Sequence, residues 1–428
     1  MKTIKIIFWF ILLPFFSIKS QINTYSPYSS FGLGQLYNCN SVSNISMGGL
    51  SISVSDPYSI NYMNPATYSF LNQTSFEVGF RSSSFHMSQD NLSQNNFVAG
   101  LSNIGLGFPI SDKIGLVVGL LPYSSVGYNV TSQVVNDDEI GPVDYNYGGS
   151  GGLNKFTIGC SWELTKTWEL VNISVGSNWN YFFGSIDKTT TVSTTNSLIN
   201  FREQQSNIIR DFNFDIGVLF NYSINEYVIN LGTTFTPKTN LESTNNVFQN
   251  TYIASGGYES FLDTILDVNG DQAHITMPFS YGIGLSIESG SKWLIGLDYN
   301  YTNWQNTNIG SYMEDKSEFV FGTQFVPNKE DIHSYFNRVE YKFGCSYGFG
   351  YLDLANATGL NEELSLLKDI SISAGVALPM NRVSSKANLG IRYGHRGYSG
   401  DNLIEENYWT FYLSMTLNEK WFKKRKID

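Results

Sequence analysis

The sequence predicts an all-β fold, a transmembrane antiparallel β-barrel of about fourteen strands with an N-terminal hatch in its lumen. Three observations predict it: a period-two alternation that recurs along the chain, a composition rich in aromatics and poor in charge, and an apolar leader suited to export.

The alternation is clearest at 293–302. Trp293, Ile295, Leu297, Tyr299 and Tyr301 fall on one side of an extended chain, and Leu294, Gly296, Asp298, Asn300 and Thr302 on the other, because strand side chains alternate faces. One side is oily and tipped with aromatics; the other is mostly small and polar. The same register returns over Phe156–Leu164, Phe212–Tyr222, Phe279–Ile287, Tyr341–Phe349, Ile370–Leu378 and Trp409–Leu417. Each run is near the nine to eleven residues, roughly, that a tilted strand needs to cross the hydrocarbon layer. Weaker alternation marks 74–86, 95–109, 113–130, 170–192, 227–240 and 386–397, and the run at 293–302 extends to about 292–304. A closed bacterial barrel takes an even number of strands, so a further, poorly patterned strand is expected near 319–327.

Aromatics make up 15% of the chain and charged residues 15%, against about 25% charged in soluble domains; the deficit suits a lipid-facing surface. A soluble sandwich or propeller would also alternate, but with strands of roughly five or six residues and without aromatics at so many strand ends. Tyr123, Tyr128, Trp179, Tyr181, Tyr299, Trp304, Tyr408 and Trp409 are expected to form girdles at the two interfaces.

Residues 1–20 open with Lys2 and Lys5, run apolar over Ile6–Phe16, and reach small residues before Gln21. This reads as a Sec signal peptide; the apolar core is too short for a spanning helix, which needs about 20 residues. Loss of Lys2, Lys5 and Lys19 with the leader would take the net charge from -11 to -14, which excludes nucleic acid as an expected partner. Cys39, Cys160 and Cys345 form neither a disulfide framework nor a metal set.

Short turns at Ile110–Lys113, Asn225–Glu226, Ser289–Lys292 and Met380–Ser385 contrast with long polar segments at 131–149, 193–206, 241–273, 305–333 and 354–367. Short periplasmic turns and long external loops are the usual asymmetry of such barrels. The acidic Asp137–Glu139 and Glu362–Glu363 are expected to be solvated loop residues. Asp267–Asp271 misplaces the glycine of a calcium loop and lacks its closing glutamate.

Residues 21–73 do not alternate. Gly48-Gly49, Asp56-Pro57 and Asn64-Pro65 set turns, and the economical place for such a segment ahead of a barrel is the lumen. The domain reading is therefore a signal peptide at 1–20, a hatch at 21–73, a barrel at 74–418 and a periplasmic basic tail at 419–428.

The motifs Ser26–Gly32, Met47-Gly48-Gly49, Asp56, Asn64-Pro65-Ala66 and Leu71, with Leu378-Pro379, Arg396-Gly397 and the tail Trp421–Asp428, resemble the long-chain fatty acid transporter (FadL) superfamily. The nearest resemblance is to its Bacteroidetes branch, which includes the PorV/Plug-type barrels that accompany type IX secretion. The resemblance implies a fourteen-stranded barrel with an N-terminal hatch. It departs in one respect: the chain continues past the last strand instead of ending on an aromatic.

Three function classes follow. The first is a passive outer-membrane carrier for hydrophobic small molecules, with an apolar pocket at the hatch lined by Phe31, Leu33, Met47 and Leu50. Gly48, Gly49, Asp56, Asn64, Pro65 and Ala66 complete the expected hatch site. The second is a non-transporting interaction barrel that plugs or accompanies a type IX secretion translocon. An enzyme is not expected, since His86, His274, His333 and His395 are scattered and no nucleophile elbow or phosphate loop appears; nor is any cofactor or metal. Expected partners are outer-membrane lipid, a hydrophobic small molecule and a secretion translocon. Of the inward charges, Arg81, Lys342 and Arg392 are expected to pair with Asp215 and Asp298; the functional alternative is that they anchor a ligand carboxylate or hold the hatch shut.

Overall fold

The computed structural model describes residues 24–90, 92–134, 141–165, 170–194, 197–255, 257–290, 292–310, 312–353, 366–380, 385–397 and 403–421. The leader at 1–20, the tail beyond Trp421 and the acidic groups at 137–139 and 362–363 lie outside them. Fourteen strands pair antiparallel, and the last pairs with the first to close the barrel. They are β1 (Thr74–Gln89), β2 (Leu92–Ser111), β3 (Ile114–Pro122 and Ser124–Val134), β4 (Val143–Glu163), β5 (Val171–Thr194), β6 (Ile199–Ile224), β7 (Tyr227–Thr236 and Thr239–Ser255), β8 (Tyr258–Met277 and Ser280–Ser289), β9 (Trp293–Thr302), β10 (Lys316–Phe325), β11 (Glu340–Asp353), β12 (Leu366–Met380), β13 (Ser385–Arg396) and β14 (Glu405–Glu419). Three of them, β3, β7 and β8, are each broken once.

Closure turns the oily face of every register outward. On β9 Leu297 is 59% exposed while Asp298 beside it is 3% exposed. Phe212, Ile283, Phe343, Ile372 and Phe411 are exposed in the same way. A closed ladder satisfies its own backbone groups, which is what permits apolar side chains to face lipid. The weakly patterned strand is β10, paired with β9 from Trp293↔Phe325 to Thr302↔Lys316. Its polar ends, Lys316-Ser317-Glu318 and Thr323-Gln324, mask the short outward run Phe319 and Phe321.

Two expectations are corrected. Much of 131–149, 193–206 and 241–273 is not loop: β4 and β5 pair as far as Val143↔Thr194, β5 and β6 as far as Val192↔Phe201, and β7 and β8 as far as Ser255↔Tyr258. Beyond the hydrocarbon no face has to be apolar, so the alternation lapses while the backbone ladder continues. The aromatic girdle is also partial. Trp179 and Trp409 face outward, but Trp304 and Tyr408 are buried in the lumen. Tyr408 neighbours outward Trp409 and so must point inward, while Trp304 lies two residues past Thr302, the last paired residue of β9. Tyr123 sits at the break in β3 and packs its ring edge-on to Phe182 at 4.9 Å.

Candidate functional site

Residues 24–71 lie inside the barrel and close it at two levels. At the level far from Glu419, where β14 ends, Tyr28 and Leu33 pack with Val126, Leu153, Ile209 and Trp304. The Tyr28 hydroxyl donates to the Ile404 carbonyl at 2.5 Å and Ser26 bonds the buried Glu406. At the level near Glu419, a short helix (Val42–Ile45) capped by Ser41 and a 3-10 turn (Pro65–Phe70) capped by Asn64 fill the lumen. The Asn64 side chain accepts from the Ala66 amide at 3.0 Å and donates to the Ile52 carbonyl at 2.6 Å, so it fixes both its own turn and a neighbouring one.

The lower level rests on a belt of inward glycines. An added Cβ at Gly115, Gly176, Gly232, Gly322 or Gly344 would come within 2.5 Å of the backbone of the N-terminal segment. The belt steps round the wall through paired residues, Gly176↔Gly217, Gly232↔Gly284 and Gly296↔Gly322↔Gly344. These glycines let a plug backbone lie directly on a barrel backbone. Gly48 meets Gly344 of the belt, and Gly48 and the adjoining Gly49 have φ of +75° and +102°, a region that L side chains avoid. The Gly48 amide donates to Ser373 Oγ at 2.7 Å.

Charge pins the same level. Asp298 Oδ2 accepts from the amides of Ser51 at 2.7 Å and Ile52 at 2.9 Å. Asp56 meets Lys386 at 3.1 Å; Lys386 meets Glu340 at 2.6 Å; Glu340 meets Lys342 at 3.2 Å, and Lys342 also bonds Ser43. This buried chain of alternating charge ties the N-terminal segment to β11 and β13.

Between the two levels lies a cavity of about 310 Å³, lined by Leu36, Tyr37, Arg81, Lys155, Asp215 and Arg392 among others. Cys39 also lines it, and burial pushes its thiol pKa above the ordinary value. Three cations in the lining have carboxylates, Lys155 with Asp215 at 3.9 Å, Lys316 with Glu318 at 3.2 Å and Arg396 with Asp369 at 2.6 Å. Two do not. Among the described residues neither Arg81 nor Arg392 has a carboxylate within 4.0 Å. Arg81 lies 3.3 Å over the Tyr37 ring, and Arg392 donates to Ser371 Oγ at 2.8 Å and Ser346 Oγ at 3.2 Å.

The wall beside this cavity is incomplete. The first part of β3 pairs with β2 from Ser111↔Ile114 to Ile104↔Leu120, and there the pairing ends. Past Tyr123 the second part of β3 keeps its ladder with β4 but has none with β2. Its first residues, Ser124–Gly127, are buried, as expected of a strand that has left the wall. The N-terminal segment occupies the vacated edge: Gln35 and Leu36 pair with Ser125 and Ser124, the Tyr37 amide donates to the Tyr123 carbonyl at 2.9 Å, and Ser29 Oγ bonds both backbone groups of Gly127. The seam is thus stoppered by chain that is not part of the barrel.

The site residues expected from sequence fall in different places. Gly49, Arg81, Asp215 and Arg392 line the cavity. Phe31, Leu33, Met47 and Leu50 do not share a pocket: Leu33 is in the far apolar cluster with Phe31 against it, and Met47 and Leu50 pack with Leu294 and Val320 in the near one. Gly48, Asp56, Asn64, Pro65 and Ala66 hold the near level. The expected pairing of Arg81, Lys342 and Arg392 with Asp215 and Asp298 is not present; Lys342 takes Glu340 and Asp298 takes backbone amides. Glu340, Lys386 and Lys155 are not among the residues expected from sequence: Lys386 opens the run 386–397, and Lys155 and Glu340 each lie one residue before a recognised run, at the inward register where a charge has to find a partner.

The sequence matches the family described as BamG over residues 2–428. The chain belongs to the BamG family. Curated proteins give no match. Solved structures with the same fold include the toluene transporter TodX of P. putida, at 14% identity and TM-score 0.57 over 89% of this chain and 98% of that one. The toluene transporter TbuX of Ralstonia pickettii has 11% identity and TM-score 0.55 over 88% and 97%. A FadL homologue of Pseudomonas aeruginosa has 11% identity and TM-score 0.53 over 91% and 99%. At these identities the likeness is one of fold: this BamG-family chain shares the FadL-type barrel.

Proposed function

We propose that this BamG-family barrel resides in an outer membrane and carries hydrophobic small molecules passively. The observation that carries the reading is the seam between β2 and β3, which lies beside a lumenal cavity and is stoppered by Gln35–Tyr37 and Ser29 of the N-terminal segment. A solute moving from the cavity through such a seam reaches lipid without crossing the near plug. Benzene fits a cavity of about 150 Å³, so by volume about 310 Å³ holds a single-ring solute or a folded alkyl chain. TodX and TbuX are described as toluene transporters, which supports the same class of cargo. Among the described residues Arg81 and Arg392 face the cavity with no carboxylate within 4.0 Å, and they suit a cargo with an acidic head. Residues 21–73 are the hatch, and Arg81 over Tyr37 is the latch on its stopper.

Proteoliposomes bearing the protein should take up labelled toluene and a labelled alkyl carboxylate faster than empty vesicles. Uptake of both solutes no faster than in empty vesicles would refute the carrier reading.

A second reading, an interaction barrel, is favoured by one feature, the long β7–β8 ribbon beyond the barrel rim. Its narrower form, a barrel that plugs or accompanies a type IX secretion translocon, is supported by the sequence resemblance alone.

A further inference from the structure

The ladders at the rim opposite Glu419, where β14 ends, do not end together. The upper part of β8, Tyr258–Met277, pairs on one side with β7. On its other side β9 pairs only with the lower part, Ser280–Ser289. The Asn308 side chain caps the junction, accepting from the Thr276 amide at 2.7 Å and donating to the His274 carbonyl at 2.6 Å. From Tyr258 to Ala273, among the described residues, this edge has no backbone partner beyond β7. At about 3.3 Å per residue it is roughly 50 Å of open edge.

Long exposed edges are normally shortened, covered or charged. This one is charged with a single sign. Glu259, Asp263, Asp267 and Asp271 lie along it, and it carries no lysine or arginine. Glu259 is matched by Arg202 at 2.7 Å. Among the described residues no cation lies within 4.0 Å of Asp263, Asp267 or Asp271. Tyr258 just before the acids is 84% exposed, and between them stand exposed apolar side chains, Phe261 at 60% and Ile265 at 57%, with Leu262 and Leu266 also exposed. Residues 258–267 are exposed without alternation, so neither face of the strand is covered.

We infer that the free edge of β8 is a docking strand for a positively charged, extended segment of another polypeptide, which adds to the sheet by backbone pairing. The open edge supplies the hydrogen bonds, the apolar side chains supply contacts on both faces, and the three unmatched carboxylates select a cationic partner. The same carboxylates disfavour the two other occupants of such an edge. A second copy of this chain would set acids against acids, which destabilises strand pairing. An anionic lipid headgroup layer would be repelled.

The test uses the full-length protein in nanodiscs and three synthetic peptides, an alternating Lys/Val strand, an alternating Glu/Val strand, and the Lys/Val strand with alternate backbone amides methylated. The Lys/Val peptide should bind at least about tenfold tighter than the Glu/Val peptide, and backbone methylation should cost about tenfold or more, because it removes edge hydrogen bonds without changing charge. The triple variant Asp263→Lys/Asp267→Lys/Asp271→Lys should invert the preference; retention of the heat-modifiable band on gels shows that the barrel has folded. Equal binding of the methylated and unmethylated peptides would overturn the inference, reducing it to charge attraction. So would binding of anionic-lipid vesicles with no peptide binding, or self-association of the nanodisc-bound protein through this strand.

Discussion

Gly344→Ala puts a methyl group where the near plug rests on the wall. The added Cβ would lie 2.1 Å from the Met47 carbonyl carbon, 2.3 Å from the Gly48 nitrogen and 2.4 Å from the Met47 oxygen. Carbon contacts settle near 3.5 Å, so the plug must withdraw by about 1.4 Å. No flexible side chain can yield instead, because every near atom is backbone. Overpacking of this kind costs about 1–3 kcal/mol. Withdrawal also stretches the bond from the Gly48 amide to Ser373, now 2.7 Å, worth about 1 kcal/mol. The total of roughly 2–4 kcal/mol, at about 1.4 kcal/mol per decade, raises the open fraction of the plug by about one and a half to three decades. Cys39 reports opening: it is buried against the plug residues Ile60, Tyr62 and Tyr68, and burial raises its thiol pKa, so the reactive thiolate is scarce while the plug is seated. Maleimide labelling of Cys39, in a Cys160→Ala/Cys345→Ala background, should accelerate in proportion. Gly348→Ala is the control on the same strand and face, where the nearest atom to an added Cβ is Ser317 O at 3.5 Å; it should leave the rate unchanged. Equal labelling rates in the two variants would refute the argument that the glycine belt seats the plug.

Two further perturbations test the polar anchors. Asp298→Ala strips the acceptor from the buried Ser51 and Ile52 amides and should cost about 2–4 kcal/mol of plug seating; Asp298→Asn keeps an acceptor oxygen and should cost far less, again read by Cys39 labelling. Lys386→Met leaves Glu340 and Asp56 short of a buried cation and should lower the midpoint of the heat-modifiability transition by the equivalent of about 3–5 kcal/mol. Adding Asp56→Asn, which removes the surplus anion, should recover part of the loss; a double variant no better than the single one would contradict the charge chain.

How much of this was legible in the sequence varied with what each residue answers to. The outward registers, such as Trp293–Tyr301, answer to lipid alone, so period-two alternation placed them, and β10 was placed by the even-number rule despite its polar ends. The extent of β5–β8 beyond the rim was not legible, because Asn, Thr and Ser pair through the backbone with no pattern to betray them. Gly48-Gly49 and Asn64-Pro65-Ala66 stood out as turn formers, yet the glycines they rest on looked like ordinary small inward residues. Phe31, Leu33, Met47 and Leu50 read as a ligand pocket because apolarity does not distinguish a pocket lining from plug core. The charge partners were misassigned because inward residues on different strands meet only once shear and register are fixed.

The central claim is that the stopper at the β2–β3 seam has to move for cargo to pass. Leu36 and Ser124 are paired residues on the N-terminal segment and β3, and directly opposed Cβ atoms in such pairs lie about 4.5–5.5 Å apart, near disulfide range. In proteoliposomes, Leu36→Cys/Ser124→Cys on a background free of the native cysteines should bring uptake of labelled toluene down to the rate of empty vesicles when oxidised and restore the faster rate on reduction. Uptake that is as fast with the disulfide closed as with it open would contradict the account.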